Sequence, residues 1–206
     1  MKIGFAIIPN SPMFEQIIEI SNLLGEGKFF NSLGKNENLP HITLFQGEFG
    51  DEFDYKMVLN LIHSEFKDWL FSGEILFKNL EYVPNGWYFY MCDSCANLTK
   101  MHEFCLNLIK DSIILNSERL NRDLSDLSKS EIDSLKKFGY RYAANSYKPH
   151  ITIGRSNEKS EKMVDALNME LNKFPKTSKI GKLTVYEMGE NGTHKSTLSE
   201  IKIWVK

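Results

Sequence analysis

The sequence predicts an α+β fold built from a duplicated unit. Three observations lead there. The tetrapeptide Pro-His-Ile-Thr occurs twice, at 40–43 and 149–152. Each copy opens a short β run, with a helical pattern before it and another after it, and two strand patterns close each half of the chain. Asn-Gly pairs, the strongest short hairpin signal, fall between those closing strands at Asn85-Gly86 and Asn191-Gly192.

The elements follow in order. Lys2 to Pro9 is an apolar run stopped by proline, which reads as a first strand and is too short for the core of a signal peptide. Ser11 suits an N-cap and Pro12 a first helical position, and the helix takes its apolar face from Phe14, Ile17, Ile18 and residues 20–24. Pro40 introduces the strand His41-Ile42-Thr43-Leu44-Phe45. A helix over about 55–70 carries Val58, Leu61, Ile62 and Phe66 at helical spacing, and residues 74–83 and 87–92 read as two strands. The order then restarts with a helix over about 94–115, faced by Leu98, Met101, Cys105 and Leu108. An insertion of about 116–145 follows. In it Ser128 and Glu131 have capping-box spacing and Gly139 is a natural stop, which predicts a short charged helix. The insertion is expected to be a solvated connection, with a lid over the second motif as the functional alternative. Pro149 introduces His150-Ile151-Thr152-Ile153, then come a helix over about 158–174 and strands at 179–188 and 199–205. Residues 1–206 are read as one domain with pseudo-repeats of about 1–93 and 94–206.

Hydrophobic residues make up 42% of the chain and charged residues 25%, which fits a globular protein. A net charge of −2 argues against broad wrapping of nucleic acid but leaves room for one phosphate or one RNA end. No apolar run approaches membrane-span length. Three cysteines and no export signal point to a reducing compartment, so a cytoplasmic protein is expected. Cys92 and Cys95 form a lone CxxC without a thioredoxin-like setting or a second ligand pair, and are read as ordinary, partly buried thiols.

With 5 His and 7 Thr in 206 residues, chance places about 0.17 (5 × 7 / 206) His-x-Thr triplets in the chain, so two inside matching tetrapeptides are not an accident. In a strand, residues i and i+2 share a face. His41 and Thr43 therefore share one face with Ile42 and Leu44 opposite, and His150 and Thr152 repeat the arrangement. If the halves pair about a pseudo-twofold axis, the two polar faces converge on one cleft. Two imidazoles at one phosphate supply a general base and a general acid near neutrality, and threonine hydroxyls can donate to the non-bridging oxygens. His63, His102 and His194 stand alone and are expected at the surface or in local hydrogen bonds.

Pro40-His41-Ile42-Thr43-Leu44 and Lys148-Pro149-His150-Ile151-Thr152-Ile153-Gly154-Arg155 resemble the paired motifs of the two-histidine phosphoesterase superfamily, which includes 2′-5′ RNA ligase-like proteins and 2′,3′-cyclic nucleotide phosphodiesterases. The flanks of the second motif, and the strand Leu183-Thr184-Val185-Tyr186-Glu187 with the turn after it, are similar to the RNA ligase-like branch. The resemblance implies a bilobal α+β fold, each lobe an antiparallel sheet flanked by helices, with the motifs in the groove between lobes. It also implies His41, Thr43, His150 and Thr152 as the catalytic set.

Around that set, Phe45 shares the period-2 face of His41 and Thr43 and is a candidate to stack on a base, as is Tyr147. Lys148 and Arg155 are candidate phosphate or base contacts, although strand alternation puts Arg155 out of phase with His150. Lys136, Lys137, Arg141, Lys148 and Arg155 form the nearest approach to a basic patch. No metal or other cofactor is expected. The expected partner is a nucleotide or RNA-end substrate, with no membrane and no obligate protein partner, and the chain is expected to be a monomer. Three readings result: hydrolysis of a cyclic or 2′-hydroxyl-flanked phosphodiester, hydrolysis of a cyclic oligonucleotide signal, or a module that holds an RNA end without turnover.

Overall fold

Runs of alternating and fully apolar residues set a sheet, and amphipathic helices cover it. The structure is a computed structural model and describes residues 1–24, 33–83, 86–93, 96–116, 124–156 and 161–203. In chain order the elements are β1 (Lys2–Pro9), α1 (Met13–Leu23), β2 (Ile42–Glu48), α2 (Tyr55–Ser72), β3 (Ile75–Val83), β4 (Trp87–Cys92), α3 (Ala96–Ile109), α4 (Lys129–Phe138), β5 (His150–Arg155), α5 (Glu161–Leu171), β6 (Thr177–Ser178), β7 (Ile180–Met188) and β8 (His194–Lys202). The α+β class holds.

The eight strands form one antiparallel sheet in the order β6-β3-β4-β5-β2-β1-β7-β8. It is joined in the middle by a single register pair, Ile42 opposite Ile151. Four strands lie on either side of that pair. Each four-strand half of the sheet draws strands from both halves of the chain: β1 and β2 lie with β7 and β8, and β3 and β4 with β5 and β6. Helices α1 and α3 cross to brace the middle, α1 against β5 and α3 against β2.

The two faces of the sheet bury different residues. Ile3, Phe5, Ile7, Ile42, Leu44, Ile151 and Ile153 join the main core together with the helices. Ala6, Tyr186 and Met188 form a separate small cluster. Full burial of Ile42 and Ile151, at 0% exposure, fixes the register, because a one-residue slip would send both motif histidines into the main core.

Caps follow the sequence where the side chain can reach. Ser128 and Glu131 make a complete capping box, and Gly139 closes α4 at φ 67°. Asp54 caps α2 by accepting from the Met57 amide at 2.9 Å. At α1 the cap position is Pro12, and Ser11 donates to the Glu15 carboxylate at 2.8 Å instead of capping. Strand β8 begins at His194, five residues before the expected start, because it is a half-exposed edge strand whose polar residues hide its pairing to β7. Gly86 has φ 87°, and a Cβ there would lie 2.1 Å from the Ser156 carbonyl, so only glycine fits; its turn partner Asn85 lies outside the described residues. Cys92 is buried, and Cys95 lies outside the described residues. Among the described residues, no helix is long and apolar enough to cross a membrane.

Candidate active site

The Ile42–Ile151 pair builds the site. Antiparallel pairing at the central residue of each motif sets His41 across from Thr152 and Thr43 across from His150, with all four side chains on the face opposite the isoleucines. These four residues line one cleft of about 560 Å³. The sequence-derived set is thus brought together in space.

Both imidazoles are fixed in the same way. His41 Nδ1 lies 2.7 Å from the Leu39 carbonyl, and His150 Nδ1 lies 2.6 Å from the Lys148 carbonyl. A carbonyl only accepts, so each Nδ1 carries the hydrogen and each Nε2 is left with a lone pair for chemistry. Burial is the main cause that lowers both rings from 6.5: His41, half-buried at the cleft surface, to about 4, and His150, more fully enclosed, to about 3. The Nδ1 bonds oppose the shift. His194 adds to it at His41, and the positive charges of Arg141, Lys148 and His41 add to it at His150.

The strands do not continue as plain alternation past the threonines. In β2 the partners step from Ala6–Thr43 to Phe5–Phe45, which leaves Leu44 as a bulge residue. In β5 they step from Phe89–Thr152 to Tyr88–Gly154, which leaves Ile153 as the equivalent bulge. Each bulge reverses the faces beyond it. Phe45 therefore turns away from the cleft into the core, at 0% exposure and edge-on to Tyr140, and Gln46 takes the cleft position instead. The same shift in β5 carries Arg155, out of phase by simple alternation, onto the cleft wall, where its guanidinium lies 5.2 Å from the Trp87 ring centroid.

Helix side chains hold the bulge carbonyls. Ser21 Oγ of α1 donates to Ile153 O at 2.7 Å. His102 Nδ1 of α3 donates to Leu44 O at 2.6 Å, and His102 Nε2 accepts from the Ala144 amide at 2.9 Å. His102 is thus neither at the surface nor locally bonded: it is fully buried and its partners are distant in the chain, because its neighbours Leu98, Met101 and Cys105 turn its helix face onto the sheet. His194 is also buried and stacks on Tyr186 with centroids 4.9 Å apart, while His63 is half-buried, edge-on to Phe71.

Two other candidates are placed away from the cleft lining. Tyr147 stacks flat on His102, 4.0 Å between centroids, and its hydroxyl reaches the Thr43 carbonyl at 3.4 Å. It supports the strand from behind. Lys148 points its ammonium at Glu81, 3.4 Å away, and serves the site through its carbonyl. Of the basic patch, Arg141 and Arg155 line the cleft, while Lys136 and Lys137 sit on the exposed face of α4.

Segment 126–142 supplies a wall of the cleft through Asp126, Leu127, Leu135 and the run Tyr140-Arg141-Tyr142. Burial pushes the Tyr140 hydroxyl well above the ordinary range. Tyr142 meets His150 edge-on at 5.3 Å, while Phe89 stacks on the other side of that ring at 3.7 Å. The Tyr186 hydroxyl lies 3.2 Å from His41 Nε2 and accepts from Gln46 Nε2 at 2.6 Å. The sequence carried little signal for these aromatics: Tyr140 and Tyr142 share the i, i+2 spacing of the motifs, but only tertiary packing brings them to the histidines. Among the described residues, no group of three or more His, Cys, Asp or Glu side chains is placed to hold a metal ion.

No family model matches the chain, and no curated protein matches it. A solved structure described as a crystal structure of a phosphoesterase aligns over 98% of this chain and 98% of its own, at 14% identity and a TM-score of 0.49.

Proposed function

We propose that the protein is a metal-independent phosphodiester hydrolase of the two-histidine kind, acting on a cyclic phosphate or a 2′-hydroxyl-flanked phosphodiester of a nucleotide or RNA end. The observation that carries this reading is the matched anchoring of the two rings. Each Nδ1 is held by a backbone carbonyl two residues upstream, which leaves Nε2 as the ring atom for proton transfer in both histidines of the cleft, with Tyr186 beside it at His41. One imidazole takes a proton from water or a ribose hydroxyl as the new P–O bond forms. The other gives a proton to the oxygen that leaves as the old bond breaks. Thr43 and Thr152 lie beside them to donate to the non-bridging oxygens, where charge collects. Arg141 and Arg155 place positive charge on the His150 side of the cleft, which suits an anionic substrate.

The test is turnover of 2′,3′-cyclic AMP and of RNA ending in a 2′,3′-cyclic phosphate, by the parent and by His41→Ala and His150→Ala. Turnover in the parent that persists after prolonged EDTA treatment and is lost in both variants is the expected result. Loss on EDTA treatment with recovery on added metal would replace this reading with a metal-dependent one.

A further inference from the structure

The two motifs are related by near-symmetry, yet their surroundings differ at one point. Relating β2 to β5 and β1 to β4 matches Gln46 with Arg155 and Gly4, opposite Gln46, with Trp87, opposite Arg155. On the His150 side, that position is filled by an indole. On the His41 side it is a glycine, and the vacant space is taken by the Tyr186 ring: a Cβ on Gly4 would lie 2.3 Å from it. Tyr186 pairs directly across from Gly4 in β7, so the missing side chain lets the phenol lie over β1 and reach His41.

Three groups lie within hydrogen-bond distance of the phenol, with the Thr43 side chain a further polar neighbour. The phenol accepts from Gln46 Nε2 at 2.6 Å, and its own hydrogen can go to His41 Nε2 at 3.2 Å or to Gly192 O at 3.5 Å. Gln46 also donates to Gly192 O at 2.7 Å, which holds the cluster together. Burial pushes the Tyr186 hydroxyl up to about 12, so it remains a donor at neutral pH. The matching position beside His150 carries no such phenol, and that ring lies between Phe89 and Tyr142.

We infer that Tyr186 is a positioning residue that makes the two histidines inequivalent and assigns the base role to His41. This rests on the phosphodiesterase reading above. With His41 neutral, the phenol hydrogen divides between Nε2 and Gly192 O, and when it turns to Gly192 O the one lone pair of Nε2 is open to the attacking water or ribose hydroxyl. When Nε2 takes that proton, the phenol, now donating to Gly192 O, offers the imidazolium a lone pair. The attacking oxygen forms its bond to phosphorus, and the leaving oxygen takes a proton from His150 Nε2. His41 has then gained one proton and His150 lost one, and exchange with water resets both. Because Nε2 is the nearer acceptor, the neutral state of His41 is the better served, as a base requires.

The direct test needs no substrate. The imidazole C–H resonances of His41, His150 and His194 are titrated by NMR in the parent and in Tyr186→Phe. Loss of the phenol hydrogen is expected to raise the His41 pKa and leave His150 where it was. His194 touches the ring rather than the hydroxyl and serves as the control. With 2′,3′-cyclic AMP as the probe, kcat is expected to fall about three- to tenfold, the worth of one hydrogen bond. Should Tyr186→Phe fold poorly, Gly4→Ala displaces the same ring and is expected to raise the His41 pKa in the same way. An unchanged His41 titration, or an equal shift at His150, overturns the inference even if the enzyme turns substrate over. A selective His41 shift without turnover of any cyclic phosphate would leave the contact intact and overturn the function it was assigned to.

Discussion

In the proposed mechanism, Thr43, His41 and their partners decide activity through single atoms. There each motif histidine performs one half of a coupled proton transfer, so His41→Ala and His150→Ala are each expected to lower kcat about 10²–10⁴-fold, with the double variant little worse than either. Steady-state kinetics beside a circular dichroism spectrum checks both parts; multiplicative losses in the double variant would mean that the rings act separately. The pH profile follows from burial. Ordinary histidines place both limbs near neutrality, but enclosure sets His41 at about 4 and His150 at about 3 in the free protein. One ring must be protonated to work, and its protonated fraction falls tenfold per pH unit above those values. A phosphodiester does not titrate in this range, so kcat/KM is expected to decline with a slope near −1 across pH 5–8. For kcat, which reports the complex, the break comes at higher pH, because a bound phosphate anion favours the imidazolium. A bell with both limbs of kcat/KM near pH 7 would show that water, not protein, surrounds the rings.

Elements carry those atoms, and here the sequence was legible in part. The two motifs, the capping box of α4 and the Gly86 turn each announce themselves through residues with one local use. The bulges do not. Thr43-Leu44-Phe45 and Thr152-Ile153-Gly154 look like unbroken strands, and whether Leu44 and Ile153 are paired or skipped is settled by β1 and β4, far away in the chain. That one-residue offset excludes Phe45 from the cleft and brings Arg155 into it. The wall at 140–142 was hidden for a similar reason: it is held by a hydrogen bond from Ala144 to His102, a residue that shows only as a lone histidine on a helix. The clasps have a measurable weight. His102→Ala leaves the buried Leu44 carbonyl and the Ala144 amide without their partner, and Ser21→Ala does the same to Ile153 O. An unsatisfied buried group costs about 1–3 kcal/mol, so both variants are expected to lose about that much in urea unfolding. His102→Asn can keep a donor near the Nδ1 position and is expected to recover part of the loss. A silent His102→Ala would mean that water replaces the ring and that the bulge does not depend on it.

At the scale of the whole molecule, the same burial that tunes the site makes the fold sensitive to acid. Four buried or half-buried histidines are held neutral: His41, His102 and His150, with pKa values lowered from 6.5 to about 4, 4 and 3, and His194, also lowered chiefly by burial. In the unfolded chain these rings take up protons near pH 6.5; in the folded protein they do so only at lower pH. The unfolded state therefore binds more protons throughout the interval, and stability is complete above about pH 6.5 and lost as pH falls toward 4. Each tenfold loss of proton affinity on folding corresponds to about 1.4 kcal/mol, so these rings together put on the order of 10 kcal/mol at stake, comparable to the entire stability of a domain. Exposed ion pairs are also lost in acid, but pairs such as Lys148–Glu81 and Lys195–Glu187 stand open to solvent, where water screens them and they contribute little. The urea midpoint is accordingly expected to be flat between pH 7 and 8 and to drop steadily from pH 6.5 to 5. In His102→Asn, which cannot titrate, the drop should be shallower by the share of one ring even though the variant starts from a lower midpoint. Equal midpoints at pH 7 and pH 5 would show that these rings protonate without opening the structure. Any loss of activity between pH 6.5 and 5 would then belong to the chemistry of the cleft alone, rather than to a fold coming apart beneath it.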